Sequence, residues 1–303
     1  MADIKPPSAL AAMVLLAAPL GAAAQALMSW ADLTRAPAPH ATRKIAYGEA
    51  PGQFAELWLP QGKGPHPVVL MIHGGCWQAR IANLHIMDYI AEDLRQRGIA
   101  VWNVEYRGVD EPGGGYPGTF QDVARAADAL RTAAPDSALD LHRVVAVGHS
   151  AGGHLVLWLA GRGRLPAPSP LRSPDPLPIA AVVNLGGLPD LAADRAMQDD
   201  AGCGAKPVER LTGAAQGRGG DVYADTSPAE LLPLGVPQLM VQGELDAVSP
   251  PFVGADFQAR ARARGEKVRV IVIPNAGHVE LIAPQSRAWA REVVEIQALL
   301  RGR

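Results

Sequence analysis

The order of apolar and amphipathic segments predicts an α/β fold: a mostly parallel central sheet with helices on both faces and a small partial cap. Three observations carry that prediction. Short continuous apolar runs recur between turn residues, as strands covered on both faces require. Segments of helical period lie between those runs. The two kinds of segment alternate from about residue 54 to residue 300.

Residues 54–59 alternate in polarity and predict an early antiparallel strand. Residues 68–72 and 99–104 are apolar throughout and predict buried strands. Between them, Ile86, Tyr89, Ile90 and Leu94 fall at helical spacing, and Gly98 stops the helix. Residues 120–131 predict a second helix through Val123, Ala127 and Leu130. Further strands are expected at 144–147, 180–185, 238–241 and 268–273, with helices at 155–160, 252–264 and 286–300. Right-handed crossovers place the loops after the parallel strands on one edge of the sheet, where chemical residues gather. Residues 162–178 are Pro-rich and predict an irregular loop. Residues 188–227 are polar and Gly-rich and predict a cap-like excursion over that edge.

The bulk properties exclude several classes. The chain has 303 residues, 48% hydrophobic, and a net charge of −2 with no basic block, which argues against a nucleic-acid partner. At the N-terminus, Lys5 precedes an apolar run from Ala9 to Ala24, and Ala24-Gln25-Ala26 offers a small-x-small cleavage site. The run is shorter than the roughly 20 residues that span a bilayer. Residues 1–26 therefore read as a cleaved signal peptide, residues 27–53 as a leader, and 54–303 as the globular domain. A periplasmic or secreted protein with no membrane span in the mature chain is expected. The two cysteines, Cys76 and Cys203, could pair in an oxidising compartment; two separate, partly buried thiols are the favoured reading.

The segment Gly148-His149-Ser150-Ala151-Gly152 lies between an apolar strand and a helix. That context marks a sharp strand-to-helix turn with an exposed hydroxyl at its apex. A serine hydroxyl is a poor nucleophile at neutral pH and needs a base, itself oriented by a third group. His278, in the glycine-containing loop after the strand ending at Ile273, is the candidate base. Asp246, after the strand ending at Val241, is the candidate orienting carboxylate, with Glu244 as its competitor. His149 is expected to project away from the serine and His154 to serve packing. Attack on a carbonyl creates an oxyanion. Candidate donors to it are the backbone amides of Gly74, Gly75 and Cys76, in His73-Gly74-Gly75-Cys76-Trp77, together with that of Ala151. Gly113-Gly114-Gly115 lacks a P-loop lysine and reads as a structural turn. His85 and Asp88 lie three apart on a helix, but no His or Cys spacing suggests a metal, and no cofactor is called for.

These motifs resemble the α/β-hydrolase superfamily over residues 54–300. His73-Gly74-Gly75-x-Trp77 is similar to the oxyanion loop of the esterase–lipase branch and of animal-type kynurenine formamidases. Trp77-Gln78 and His278-Val279-Glu280 strengthen the formamidase comparison, and feruloyl-esterase-like bacterial hydrolases carry similar motifs. Cys76 stands where hormone-sensitive-lipase relatives have a third glycine. The order Ser, Asp, His also matches the superfamily. The resemblance implies a serine hydrolase that cleaves small-molecule carboxylic esters or related acyl bonds through an acyl-enzyme. An arylformamidase acting on N-formyl aromatic amides would use the same residues. A dipeptidyl-peptidase-like enzyme would require a large extra domain, and a non-catalytic binding module usually lacks one triad member.

Overall fold

The computed structural model describes residues 26–200 and 202–302, together with Met1. The export-signal reading covers residues 1–26, of which 2–25 lie outside the described residues. One eight-stranded sheet runs in the order β1-β2-β4-β3-β5-β6-β7-β8. Its strands are β1 (Arg43–Ala46), β2 (Phe54–Trp58), β3 (His66–Ile72), β4 (Ala100–Val104), β5 (Leu139–His149), β6 (Ala181–Leu185), β7 (Gln238–Gly243) and β8 (Val268–Ile273). β2 pairs antiparallel with both β1 and β4, and every later neighbour is parallel.

β1 has no counterpart among the strands expected from sequence. It is an edge strand that leaves Arg43 and Lys44 exposed, so it carries no hydrophobic alternation to detect. The helices are α1 (Trp30–Leu33), α2 (Asp88–Gln96), α3 (Gly118–Ser137), α4 (Ala151–Gly161), α5 (Leu191–Asp200), α6 (Pro207–Thr212), α7 (Pro251–Ala263) and α8 (Arg287–Leu300). The helix expected through Ile86, Tyr89, Ile90 and Leu94 is divided: a 3-10 turn over Leu84–Met87, capped by the Asn83 side chain, precedes α2. α5, α6 and a 3-10 turn at Ala214–Gln216 occupy the 188–227 segment, which is more helical than its composition suggests.

Alternate residues along each central strand feed two separate cores. Leu70 and Ile72 of β3 pack on one face with Trp102, Phe120, Trp158 and Phe257. Val69 and Met71 pack on the other with Ile90, Leu94, Val147, Trp289 and Ile296. α3, α4 and α7 cover the first face, and α2 and α8 the second. This double cover explains why the middle strands read as unbroken apolar runs. Their C-terminal ends meet at one edge, where Ile72 registers with Gly148 and His149 with Leu185. Among the described residues, no helix is long and apolar enough to cross a membrane.

Candidate active site

β5 ends at His149 and α4 begins at Ala151, so the whole reversal of the chain rests on Ser150. Ser150 takes φ 54° and ψ −122°, a region that L-residues enter only under constraint. The neighbours make room for this. A Cβ on Gly148 would lie 2.2 Å from the Gly152 carbonyl oxygen, and one on Gly152 would lie 2.1 Å from the Ile72 oxygen. The Ser150 amide donates to the Leu185 carbonyl at 2.9 Å, tying the turn to β6.

His278 and Asp246 meet as the sequence predicts. Imidazole Nδ1 lies 2.7 Å from Asp246 Oδ2, and the carboxylate is fully buried. The other carboxylate oxygen accepts the amides of Val248 and Ser249 at 2.8 and 2.9 Å. Those amides fix the buried carboxylate in direction. Glu244, the competing carboxylate, is exposed and accepts the Asn275 amide. It therefore braces the histidine loop from outside. Gly186 permits the approach, because a Cβ there would lie 3.0 Å from Asp246 Oδ2 and 3.1 Å from His278 Nδ1. Among the described residues, no hydrogen bond joins Ser150 to His278. Such contacts are often long in unliganded sites and tighten with substrate.

The loop after β3 faces the serine, since a Cβ on Gly74 would lie 2.9 Å from Ser150 Cβ. Gly75, Cys76 and Trp77 all have positive φ, at 107°, 55° and 56°. For Cys76 and Trp77 this conformation costs about 1–2 kcal/mol each. The amides of Gly74, Gly75, Cys76 and Ala151 donate to no protein acceptor among the described residues. Of these, Gly74 lies beside Ser150, and the Ala151 amide sits at the positive end of α4.

What holds the strained loop was only partly legible. Cys76 and Cys203 form a disulfide with Cα atoms 5.6 Å apart, which corrects the reading of two separate thiols. Pairing depends on where residues 127 positions apart meet, and local sequence carries no sign of it. The bond joins the loop to the 188–227 segment, and Gln78 Nε2 adds a hydrogen bond to the Cys203 carbonyl at 2.7 Å. Trp77 is buried, and its indole N–H donates to His154 Nδ1. His154 Nε2 in turn meets the Thr226 carbonyl at 2.8 Å. Burial lowers the His154 pKa to about 4, so it is a neutral packing residue.

Glu105, which the sequence did not single out, organises the other side of the loop. Its carboxylate meets His73 Nε2 at 2.9 Å and accepts the amides of Leu84 and Tyr106. Burial pushes its pKa up, but the His73 charge and these hydrogen bonds outweigh burial and hold it below the usual value. Tyr106 stacks on His73 at 4.3 Å and donates its hydroxyl to the His73 carbonyl.

His149 makes a contact that its position in the sequence does not suggest. Its ring lies 4.4 Å from the His278 ring, and its Nε2 meets the His278 carbonyl oxygen at 3.0 Å. Burial, followed by the His278 charge, drives its pKa well below the ordinary histidine value. Away from this edge, Glu56 joins His85 and Asp88 so that three possible ligand atoms lie within 4.8 Å of one another. A 2.8 Å His85–Asp88 hydrogen bond and a contact from Asn103 already engage the buried carboxylate.

Residues 56–260 match the BD-FAE family model. The chain belongs to the BD-FAE family. Esterase LipC of Mycobacterium tuberculosis is 27% identical to this member over 78% of the chain and 59% of its own length. The Probable isoprenylcysteine alpha-carbonyl methylesterase ICMEL1 of Arabidopsis thaliana is 28% identical over 39% of the chain and 24% of its own length. The BD-FAE family chain therefore spans between a quarter and three fifths of these curated relatives. In architecture it is similar to inhibited Esterase B from Lactobacillus rhamnosis, with a TM-score of 0.72 at 19% identity, over 86% of this chain and 85% of the other. The shared architecture is the α/β-hydrolase fold.

Proposed function

We propose that this BD-FAE family member is a serine hydrolase that cleaves carboxylic esters through an acyl-enzyme. The observation that carries the reading is the 2.7 Å His278–Asp246 contact beside a serine at positive φ. With Nδ1–H donating to Asp246, the His278 tautomer leaves Nε2 unprotonated and able to accept the Ser150 proton. Ser150 Oγ then bonds to the ester carbonyl carbon, and the carbonyl electron pair moves to oxygen. Free amides among Gly74, Gly75, Cys76 and Ala151 stabilise that oxyanion. As the tetrahedral species collapses, His278 Nε2–H protonates the departing alcohol oxygen. Water next loses a proton to the same nitrogen and attacks the acyl carbon. Collapse releases the acid and returns the proton to Ser150. Each step balances within the triad and calls on no cofactor.

The names of the relatives, Esterase LipC above all, support ester over formamide as the scissile bond. The Cys76–Cys203 bond supports export to an oxidising compartment. The same bond and the Gln78–Cys203 contact support a cap role for residues 188–227, because they fix that segment beside the oxyanion loop. The test is hydrolysis of p-nitrophenyl butyrate by the wild type and by Ser150→Ala. We expect the variant to lose at least about 10⁴-fold in kcat. A variant that keeps the wild-type rate overturns the proposal.

A further inference from the structure

The leader ahead of β1 is built into the rim of the site. Ser29 and Asp32 form a capping box that fixes the short helix α1, and Leu33 is buried in the core. The Met28 amide donates to Glu280 Oε1 at 2.5 Å, two residues past His278. Leu27 reaches the histidine loop as well, because a Cβ on Gly277 would lie 3.2 Å from Leu27 Cδ1. Farther along, the Ala36 carbonyl accepts the Tyr89 hydroxyl at 2.9 Å. The segment thus runs from the histidine loop toward α2, held at both ends. It lies outside residues 56–260, the stretch shared with the family model.

Trp30 stands in the middle of this strap. Its ring centre is 6.5 Å from that of His278 and 6.0 Å from that of His149, nearly perpendicular to both. It remains 46% exposed, although a side chain of that size is usually much more buried. Two more exposed apolar residues border the same loop: Leu27, at 43%, and Leu245, at 49%, whose amide donates to the Ala276 carbonyl. One aromatic side chain therefore meets the imidazole, and two more large apolar side chains border its loop, all three facing solvent. A rigidly mounted aromatic surface of this kind is suited to an apolar ligand group, since little ordering remains to be done on binding.

Chemistry decides which part of a substrate meets that surface. The leaving alcohol departs at the oxygen that His278 protonates, so the groups flanking His278 border the alcohol path. We propose that Trp30 is a specificity-determining residue, forming the wall against which the alcohol portion of the ester packs and selecting bulky apolar, above all aromatic, alcohols. The proposal rests on the ester-hydrolase reading and adds to it the class of leaving group.

The test compares methyl butyrate with 1-naphthyl butyrate on the full chain, as wild type, Trp30→Ala and Trp30→Phe. Both esters give the same butyryl-enzyme, so deacylation is common and kcat/KM reports the step in which the alcohol is still attached. We expect Trp30→Ala to lower kcat/KM for the naphthyl ester about tenfold. The methyl ester should change less than about twofold, and Trp30→Phe should restore most of the naphthyl rate. Equal losses on both esters, or no loss on either, overturn the proposal. Fluorophosphonate labelling at the wild-type rate confirms that each variant is folded. Should Trp30→Ala fail that check, Trp30→Gln keeps a long side chain on α1 and reads the same ratio. Wild-type protein inert toward both esters would instead overturn the hydrolase reading, a result distinct from an unchanged ratio.

Discussion

Cutting the Cys76–Cys203 bond should loosen the part of the site that costs most to hold. The bridge closes a loop across 127 positions. In the chain-entropy treatment, a loop of that length constrains the unfolded state by about 5 kcal/mol. Strain at Cys76 and Trp77, both at positive φ, offsets about 2–4 kcal/mol if reduction lets the loop relax. The net loss expected on reduction is therefore about 1–3 kcal/mol. At about 2–4 °C per kcal/mol for a chain of this class, the midpoint should fall by roughly 2–12 °C. The same relaxation should let the amides of Gly74 to Cys76 drift from the serine, and kcat should drop about tenfold or more. Calorimetry with and without a phosphine reductant, on the wild type and on Cys76→Ser/Cys203→Ser, reads stability. Ester hydrolysis on the same samples reads the loop. An unchanged midpoint and rate in the double variant, or two thiols that titrate freely in the native oxidised protein, would refute the reasoning.

Other expectations follow from the same geometry. Asp246→Asn keeps the shape but cannot accept from His278 as an anion, and kcat should fall about 10⁴-fold with little change in melting temperature. A large melting loss would make Asp246 a structural residue instead. Gly152→Ala drives a methyl into the Ile72 and His73 carbonyl oxygens, 2.1 and 2.6 Å from the new Cβ. Neither is a movable side chain, so destabilisation of at least about 3 kcal/mol is expected in urea melts; a neutral effect contradicts the packing. His154 stays neutral in the folded chain down to about pH 4, whereas the unfolded chain protonates it near 6.5. Its contribution is present above 6.5 and is lost as pH falls toward 4, about 3 kcal/mol in all. Urea melts of the wild type and His154→Gln at pH 7.5 and 4.5 should therefore converge at the lower pH, and curves that stay parallel would contradict this.

Much of this site follows from features that local sequence can carry. A strand covered on both faces must be apolar throughout, so 68–72 and 144–147 stand out, and a strand that turns abruptly into a helix needs glycines at positions 148 and 152. Asp246 and His278 follow directly after β7 and β8, and parallel topology brings those ends together. Other features depend on distance across the fold. Arg43 and Lys44 hide an edge strand. Glu105 reads only as a polar residue after β4, and its hold on His73 depends on a neighbouring loop. His149 directly precedes Ser150 in the chain, but its contact with His278 appears only when the two loops meet. Trp30 lies in a Pro-rich leader without periodicity, and nothing local ties it to residue 278.

The proposed mechanism requires Ser150 to be the nucleophile. Incubation with a fluorophosphonate, followed by intact-mass measurement and peptide mapping, tests it most directly. One adduct per chain is expected, on the peptide containing Ser150, and none in His278→Ala over the same interval. An adduct on another residue, or a chain that stays unmodified while folded, would contradict it.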